Sequence, residues 1–551
     1  MFFLPVVYAA AQRQNNNWTF GFGCRVDFNG LNPDGALNSF LMSSEQCATV
    51  SDPQTGSLLF YTDGVKVWNA SGLGMPNGND LMGGTFLSSS QGPAIVPFPD
   101  NPDKYFIFTL DELEFDVPPL YNGLRYSVVD MKLNGGKGDV EASNKNVLLT
   151  RDSLTEKLTV IRSEAIRGFW VIVHRCNSNE FLAYKVSGCE VSSTPVVSAV
   201  GSPLIIPAGD QNNRFACWGS MKANPEGTRL GMPIDGSAFI EFFDFNPATG
   251  IFSNPLAVEV SDNTLTPPIR KYGCCFSPDG SKFFFTNTIS IYQLDLANYE
   301  ASAIAASNTL VGTPANPVFQ IEQAPNGKLY AAVAGNALAA INFPNNAGTA
   351  CAYQSNALTL NGNCQLGLPA HVPERNFAAP PFNLVYDCAT LKLNATLSGF
   401  SDTGISWDMG VPNSNLKGST VSFNYTDTGT VTIKASFSSD CFSFSVDTSV
   451  FIDFCGVKCN EVFIPTIFSP NDKGPQTNET FCVFSDCVEQ FKLFIHNRWG
   501  EKVFESDDIN NCWDGSFKGS AATDGVYAYN ISIMQTSGKV FNKTGTITLI
   551  R

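Results

Sequence analysis

An all-β fold is the reading of this sequence, and three features lead to it. Charged residues make up only 15% of the chain while aromatics reach 12%, with 44 Phe, 46 Gly and 32 Pro. That mixture suits short strands and tight turns better than long solvated helices. Apolar residues alternate in runs such as FKLFIHN from Phe491 and VYAYNISIM from Val526, the period of a strand with one buried face. A turn signal of Pro, one or two residues, then Gly or a polar residue recurs ahead of such runs. At 551 residues the chain is too long for one ordinary core, and about three domains of roughly 100 to 200 residues are expected.

Taken from the start, residues 1–11 form a short apolar run ending in small residues, which reads as a secretory signal peptide cleaved near Ala11. A charged leader is missing, so either the true start lies upstream or the run is an ordinary first strand. From residue 15 to 378 the turn signal returns as DPQTG at Asp52, NPDK at Asn101, NPEG at Asn224, SPDG at Ser277 and APNG at Ala324, with IRGF at Ile166 as the same unit without its proline. Proline presets the first turn position, glycine accepts positive φ, and the β-branched or aromatic residues that follow enter a strand. A spacing of roughly 50 to 65 residues is the length of four short strands, one blade of a β-propeller. Six such units leave NWTFGFGCRVDFNG from Asn17 and GLPAHVPERNF from Gly367 unpartnered. Joining these two ends makes a seventh blade and removes exposed sheet edges; six blades is the alternative.

AAPPFN from Ala378 marks a linker, and residues 384–457 read as a small β-sandwich. Trp407-Asp408-Met409-Gly410 is similar to the WDFG run of PKD domains, and Tyr425 to Gly429 and Thr430 is similar to the start of their YxxxGxY stretch. Val411-Pro412 stands where that family has Asp-Gly.

Residues 461–551 carry the most specific pattern. Asn497-Arg498-Trp499-Gly500, Val503-Phe504, Trp513-Asp514-Gly515, Gly525-Val526-Tyr527, Gly545 and the terminal Leu549-Ile550-Arg551 follow one another in the order of the gliding-motility-associated C-terminal domain, which this segment resembles over nearly its whole length. The resemblance implies a Bacteroidetes cargo of the type IX secretion system with a type B sorting signal. It also implies the translocon and PorP/SprF-like outer-membrane proteins as partners, and a secreted or outer-surface location reached through the periplasm. Physically, Trp499 and Trp513 are expected to anchor the core of a compact sandwich, and Asp514-Gly515 and Asp524-Gly525 to make hairpin turns. The loop Phe468 to Gly474 departs from the family's acidic turn by placing Lys473 where a calcium ion would not want charge.

A formal charge of -16 repels a phosphate backbone, so nucleic acid is not an expected partner. No run approaches the roughly 18 apolar residues of a membrane span. The 16 cysteines are too scattered for zinc ribbons and point to disulfides in an oxidising compartment. Cys455/Cys459 and Cys482/Cys487 are spaced to close short loops, although connectivity does not follow from sequence. Asn-X-Ser/Thr triplets at Asn17, Asn69, Asn394, Asn424, Asn478, Asn530 and Asn542 are read as chance in an Asn-rich bacterial chain.

No GxSxG, HExxH or phosphate-binding loop occurs, and His174, His371 and His496 lie in unrelated contexts. The expectation is therefore no catalytic residue, no metal and no cofactor beyond a remote case for calcium. The expected role is that of a surface binding or adhesion protein for a glycan or a surface protein. One alternative is a polysaccharide hydrolase or lyase using carboxylates such as Asp63, Asp111, Glu112, Asp130 or Glu156. Another is a structural subunit of an extracellular assembly.

Overall fold

Each of the six recurring turns joins the first strand of an antiparallel sheet to its second. In the computed structural model, which describes residues 12–113, 122–207, 214–260, 270–377, 382–397, 404–438, 443–453, 462–535 and 539–551, turn 52–57 links Ala48–Ser51 to Leu58–Thr62. The same position is taken by the turns before Lys104–Thr109, Gly168–Arg175, Arg229–Pro233, Lys282–Thr286 and Leu329–Val333. The signal reading at 1–11, and Cys455 and Cys459, lie outside the described residues.

The described residues are all-β, with helices of only four and six residues. They divide into two compact units, one of residues 1–381 with 436–445 and one of 382–435 with 446–551. In the first unit six meandering sheets succeed one another, and each hydrophobic cluster is shared by two neighbours. Val50 and Phe60 pack with Ile107 and Val129, Phe106 and Phe108 with Phe169 and Leu182, and Trp170 and Phe181 with Leu230 and Phe243. Phe242 packs with Phe283, and Phe284 with Leu329 and Ala331. Trp18 and Phe20, from the N-terminal strand Asn17–Phe20, then fill the space between Tyr61 and Trp68 of the first sheet and Tyr330 and Ala332 of the last. Burying several aromatic rings per interface, at roughly 1.5 to 3 kcal/mol each, makes this face-to-face packing the main cohesive force.

The segment from Gly367 departs from expectation. Residues 365–377 form no strand; the N-terminal sheet instead meets the last sheet at Phe22 opposite Asn363. Side-chain amides hold the segment. Asn15 accepts the Val372 N–H (2.8 Å) and donates to its carbonyl (3.0 Å). Gln320 Oε1 accepts the Leu368 N–H (2.8 Å), and Arg162 donates to the Glu374 carbonyl (2.9 Å).

Later in the chain, Phe382–Asp387, Lys392–Leu397 and Thr420–Asn424 form one sheet, and Ile405–Asp408, Leu416–Lys417, Gly429–Ser438 and Ser443–Ile452 another. The first of these strands takes up the Phe-Asn read from sequence as linker, and the Phe382 ring lies tilted 5.4 Å from that of Trp407. The C-terminal segment is a single five-stranded sheet with a two-stranded hairpin beside it, rather than two matched sheets. Its edge strand Ile467–Phe468 runs parallel to the final strand Val540–Leu549.

Two disulfides are described, Cys176–Cys217 and Cys482–Cys512. The second corrects the pairing of Cys482 with Cys487: the partner comes from the segment that brings Trp513 against Phe481. Cys24, Cys47, Cys274, Cys275, Cys351 and Cys364 are free thiols buried in the ring of sheets. Asn17 and Asn69 are also buried, which closes those two triplets to modification in the folded chain.

Candidate functional site

The first strands of five successive sheets converge on a recess of about 420 Å³, within the range that binds small ligands. Lys222 and Glu322 meet in its wall as an ion pair with little exposure, and Arg162, Cys275 and Phe276 lie around them. His371 and Glu374, from the amide-held segment, complete the wall, and the His371 Nε2 stands 3.4 Å from the Asn15 amide nitrogen. Sequence spacing singled out none of the Lys222, Glu322 and Arg162 constellation, because each residue comes from a different sheet.

The carboxylates weighed for catalysis do not gather there. Asp63 accepts the N–H groups of Val65 (2.9 Å) and Lys66 (2.7 Å). Asp111 holds Asn122 and Gly123, with burial pushing its pKa up to about 6. Glu112 accepts the Phe86 N–H, and Asp130 faces Lys104 at 3.6 Å. Glu156 is fully buried, and it belongs to a chain of contacts that sequence did not reveal. Tyr272 donates to Glu45 (2.6 Å), Ser90 lies 3.0 Å from Tyr272, and Ser90 donates to Glu156 (2.7 Å). Burial and the two carboxylates beside it push the Tyr272 phenol well above its usual range.

The PKD-like residues are structural. Trp407 is fully buried and its Nε1 donates to the Gly418 carbonyl (2.8 Å). Asp408 accepts the Gly410 N–H (2.9 Å), with Gly410 at φ +77°. The Tyr425 hydroxyl donates to the Met409 carbonyl (2.8 Å), and Gly429 opens the next strand.

In the C-terminal domain the two tryptophans separate. Trp513 is fully buried among Phe468, Phe481 and Tyr527. Trp499 is 83% exposed, against the expectation that it anchors the core. The cause is local: Asn497 to Gly500 is the turn between Val488–His496 and Lys502–Ser506. Asn497 Oδ1 accepts the N–H groups of Trp499 and Glu501 (3.0 Å each), and Gly500 takes φ +80°. That turn carries its side chains outward. Asp514 accepts both the N–H and hydroxyl of Ser516, but the two-residue hairpin turn is Lys518-Gly519, with φ +51° and +77°. Asp524 and Gly525 make no hairpin; Asp524 instead pairs with the terminal Arg551, whose guanidinium also reaches the Gly515 carbonyl (2.8 Å). Asn497, Arg498, Trp499, Gly525, Val526 and Tyr527, all named from sequence, line one open groove of about 480 Å³.

Among the described residues no three His, Cys, Asp or Glu side chains assemble as a cation would require. Loop 468–474 closes on itself, Lys473 N–H donating to Asn471 (2.9 Å) and Asp472 N–H to Glu479 (3.0 Å). No described helix is long and apolar enough to cross a membrane.

Residues 462–549 match the CHU_C Type IX secretion signal domain. The chain thus carries at its C-terminus a signal for export to the cell surface or for secretion, which implies contact with the secretion machinery. No curated protein matches the chain. Among solved structures, a putative 6-phosphogluconolactonase from Bacteroides fragilis is similar at 13% identity and TM-score 0.32, covering 74% of this chain and 96% of that one. The hydrazine synthase of Kuenenia stuttgartiensis is similar at 11% identity and TM-score 0.30, covering 62% and 80%. The PKD1 domain of Vibrio anguillarum Epp is similar at 18% identity and TM-score 0.12, covering 14% and 96%.

Proposed function

We propose that this protein is a type IX secretion cargo that acts outside the cell as a binding protein, with its N-terminal unit a seven-bladed β-propeller and its second unit holding a PKD-like spacer and the sorting domain. The observation that carries the export reading is the signal-domain match over 462–549. The blade count rests on the circuit of shared cores: the N-terminal strands, although hydrogen-bonded into the last sheet at Phe22 and Asn363, pack between that sheet and the first. Binding is favoured over catalysis because four of the five carboxylates weighed for hydrolysis are engaged by loop N–H groups, amides or a lysine. The recess around Lys222, Glu322 and His371 mixes donors and acceptors with the apolar face of Phe276, a lining suited to a neutral, hydrogen-bonding ligand such as a sugar.

Deleting residues 461–551 is expected to leave the remaining protein inside the cell envelope, as read by fractionating cells and culture medium. Secretion of the truncated chain at the level of the full one refutes the export reading. Glycan-array binding by the full chain, abolished by R162A, tests the recess; binding unchanged in that variant removes the recess as the ligand site.

A further inference from the structure

The groove on the signal domain joins a large exposed aromatic to an uncompensated charge. Trp499 is 83% exposed and Val526, which lines the same groove, is 57% exposed. Apolar surface on a concave site, left in water by a folded domain, marks a contact surface, and Trp and Arg are both among the residues enriched where binding energy concentrates. The display is rigid, because Asn497 fixes the turn through two N–H groups. A preorganised aromatic loses little freedom when a partner covers it.

The charges around it say what covers it. The Arg498 guanidinium lies 5.7 Å from the Trp499 ring centre, and among the described residues it makes no hydrogen bond or ion pair. Nearby basic side chains are matched: Lys502 with Glu505, Lys518 with Glu501, and Arg551 with Asp524. One positive charge is thus left over beside the exposed ring, on a chain of net charge -16. A partner drawn to this spot brings a carboxylate to Arg498 and an apolar side chain to Trp499.

We propose that this groove is the face by which the export machinery grips the signal domain, and that its occupant is an acidic segment of an export protein that inserts an apolar side chain between Trp499 and Val526. The proposal rests on the export reading above and adds where the signal is read. Secretion of full-length chains carrying W499A, W499F, R498E or R498K tests it, measured as the ratio of protein in the medium or on the surface to protein retained. W499A and R498E are each expected to lower that ratio at least tenfold, while W499F and R498K keep most of it. The purified W499A chain should melt as wild type does, since this indole lies outside the core. Export of W499A at the wild-type level, alongside retention of the 461–551 deletion, overturns the groove and leaves the signal intact. Export of R498E at the wild-type level overturns the acidic partner. Export of the deletion itself overturns the reading beneath both. Loss of export in W499A together with a lowered melting temperature counts against the proposal unless W499F, equally stable, is exported.

Discussion

His174 has one nitrogen committed and one bare. Its Nδ1 lies 2.7 Å from the Arg175 carbonyl, which only accepts, so Nδ1 carries the proton. Nε2 is buried without a hydrogen-bond partner, beside the edge-on ring of Phe181 at 4.6 Å. Charging the ring would bury a cation there, with the Lys157 ammonium adding repulsion and Glu180 only partly offsetting it, and burial lowers the pKa from 6.5 to about 4. The unfolded chain therefore takes up this proton first as pH falls. Stability from this residue is complete above about pH 6.5, declines between 6.5 and about 4, and changes no further below that, a loss on the order of 3 kcal/mol. Urea melts across that window are expected to show the decline in wild type and a flatter profile in H174F. Equal slopes in the two remove His174 as the source. Trp499 and Trp513 show where residue-level reading stops: both are large and apolar, and only the turn set by Asn497 decides that one faces water.

At the scale of elements, legibility followed periodicity. The six turns were visible because Pro and Gly act within four residues, and all six occupy the same position in their sheets. The segment after Gly367 forms no strand because its backbone partners are side chains from distant positions, which leave no alternation to detect. Asn15 serves as a surrogate strand edge, pairing with both the N–H and the carbonyl of Val372. N15A is expected to strand both groups and lower the stability of the first unit by about 1 to 3 kcal/mol. N15D keeps the acceptor but loses the donor, and should fall between N15A and wild type in denaturant melts. An N15A chain as stable as wild type means that water replaces the amide at no loss. The recess was likewise hidden, since Lys222 and Glu322 lie in different sheets, 100 residues apart in the chain.

Across the whole first unit, the chain from Glu45 through Tyr272 and Ser90 to Glu156 ties together segments from four sheets. The Tyr272 hydroxyl donates to Glu45 (2.6 Å) and the Ser90 hydroxyl to Glu156 (2.7 Å), with the two hydroxyls 3.0 Å apart. The two carboxylates differ in the donors they meet. Glu156 also accepts N–H groups from Ser90 (3.0 Å) and Leu113 (2.7 Å), so both of its oxygens are engaged. The neighbouring Lys157 ammonium points away, to the Trp218 and Pro233 carbonyls. E45Q keeps an oxygen to accept the Tyr272 hydroxyl and is expected to stay within about 1 kcal/mol of wild type, whereas E156Q turns an amide N–H₂ against donors already present and should lose about 2 to 3 kcal/mol. Thermal melts of the two variants at neutral pH decide it: the opposite order makes Glu45 the more heavily engaged carboxylate, and equal small losses mean that the Glu156 donors turn away from an amide at no cost.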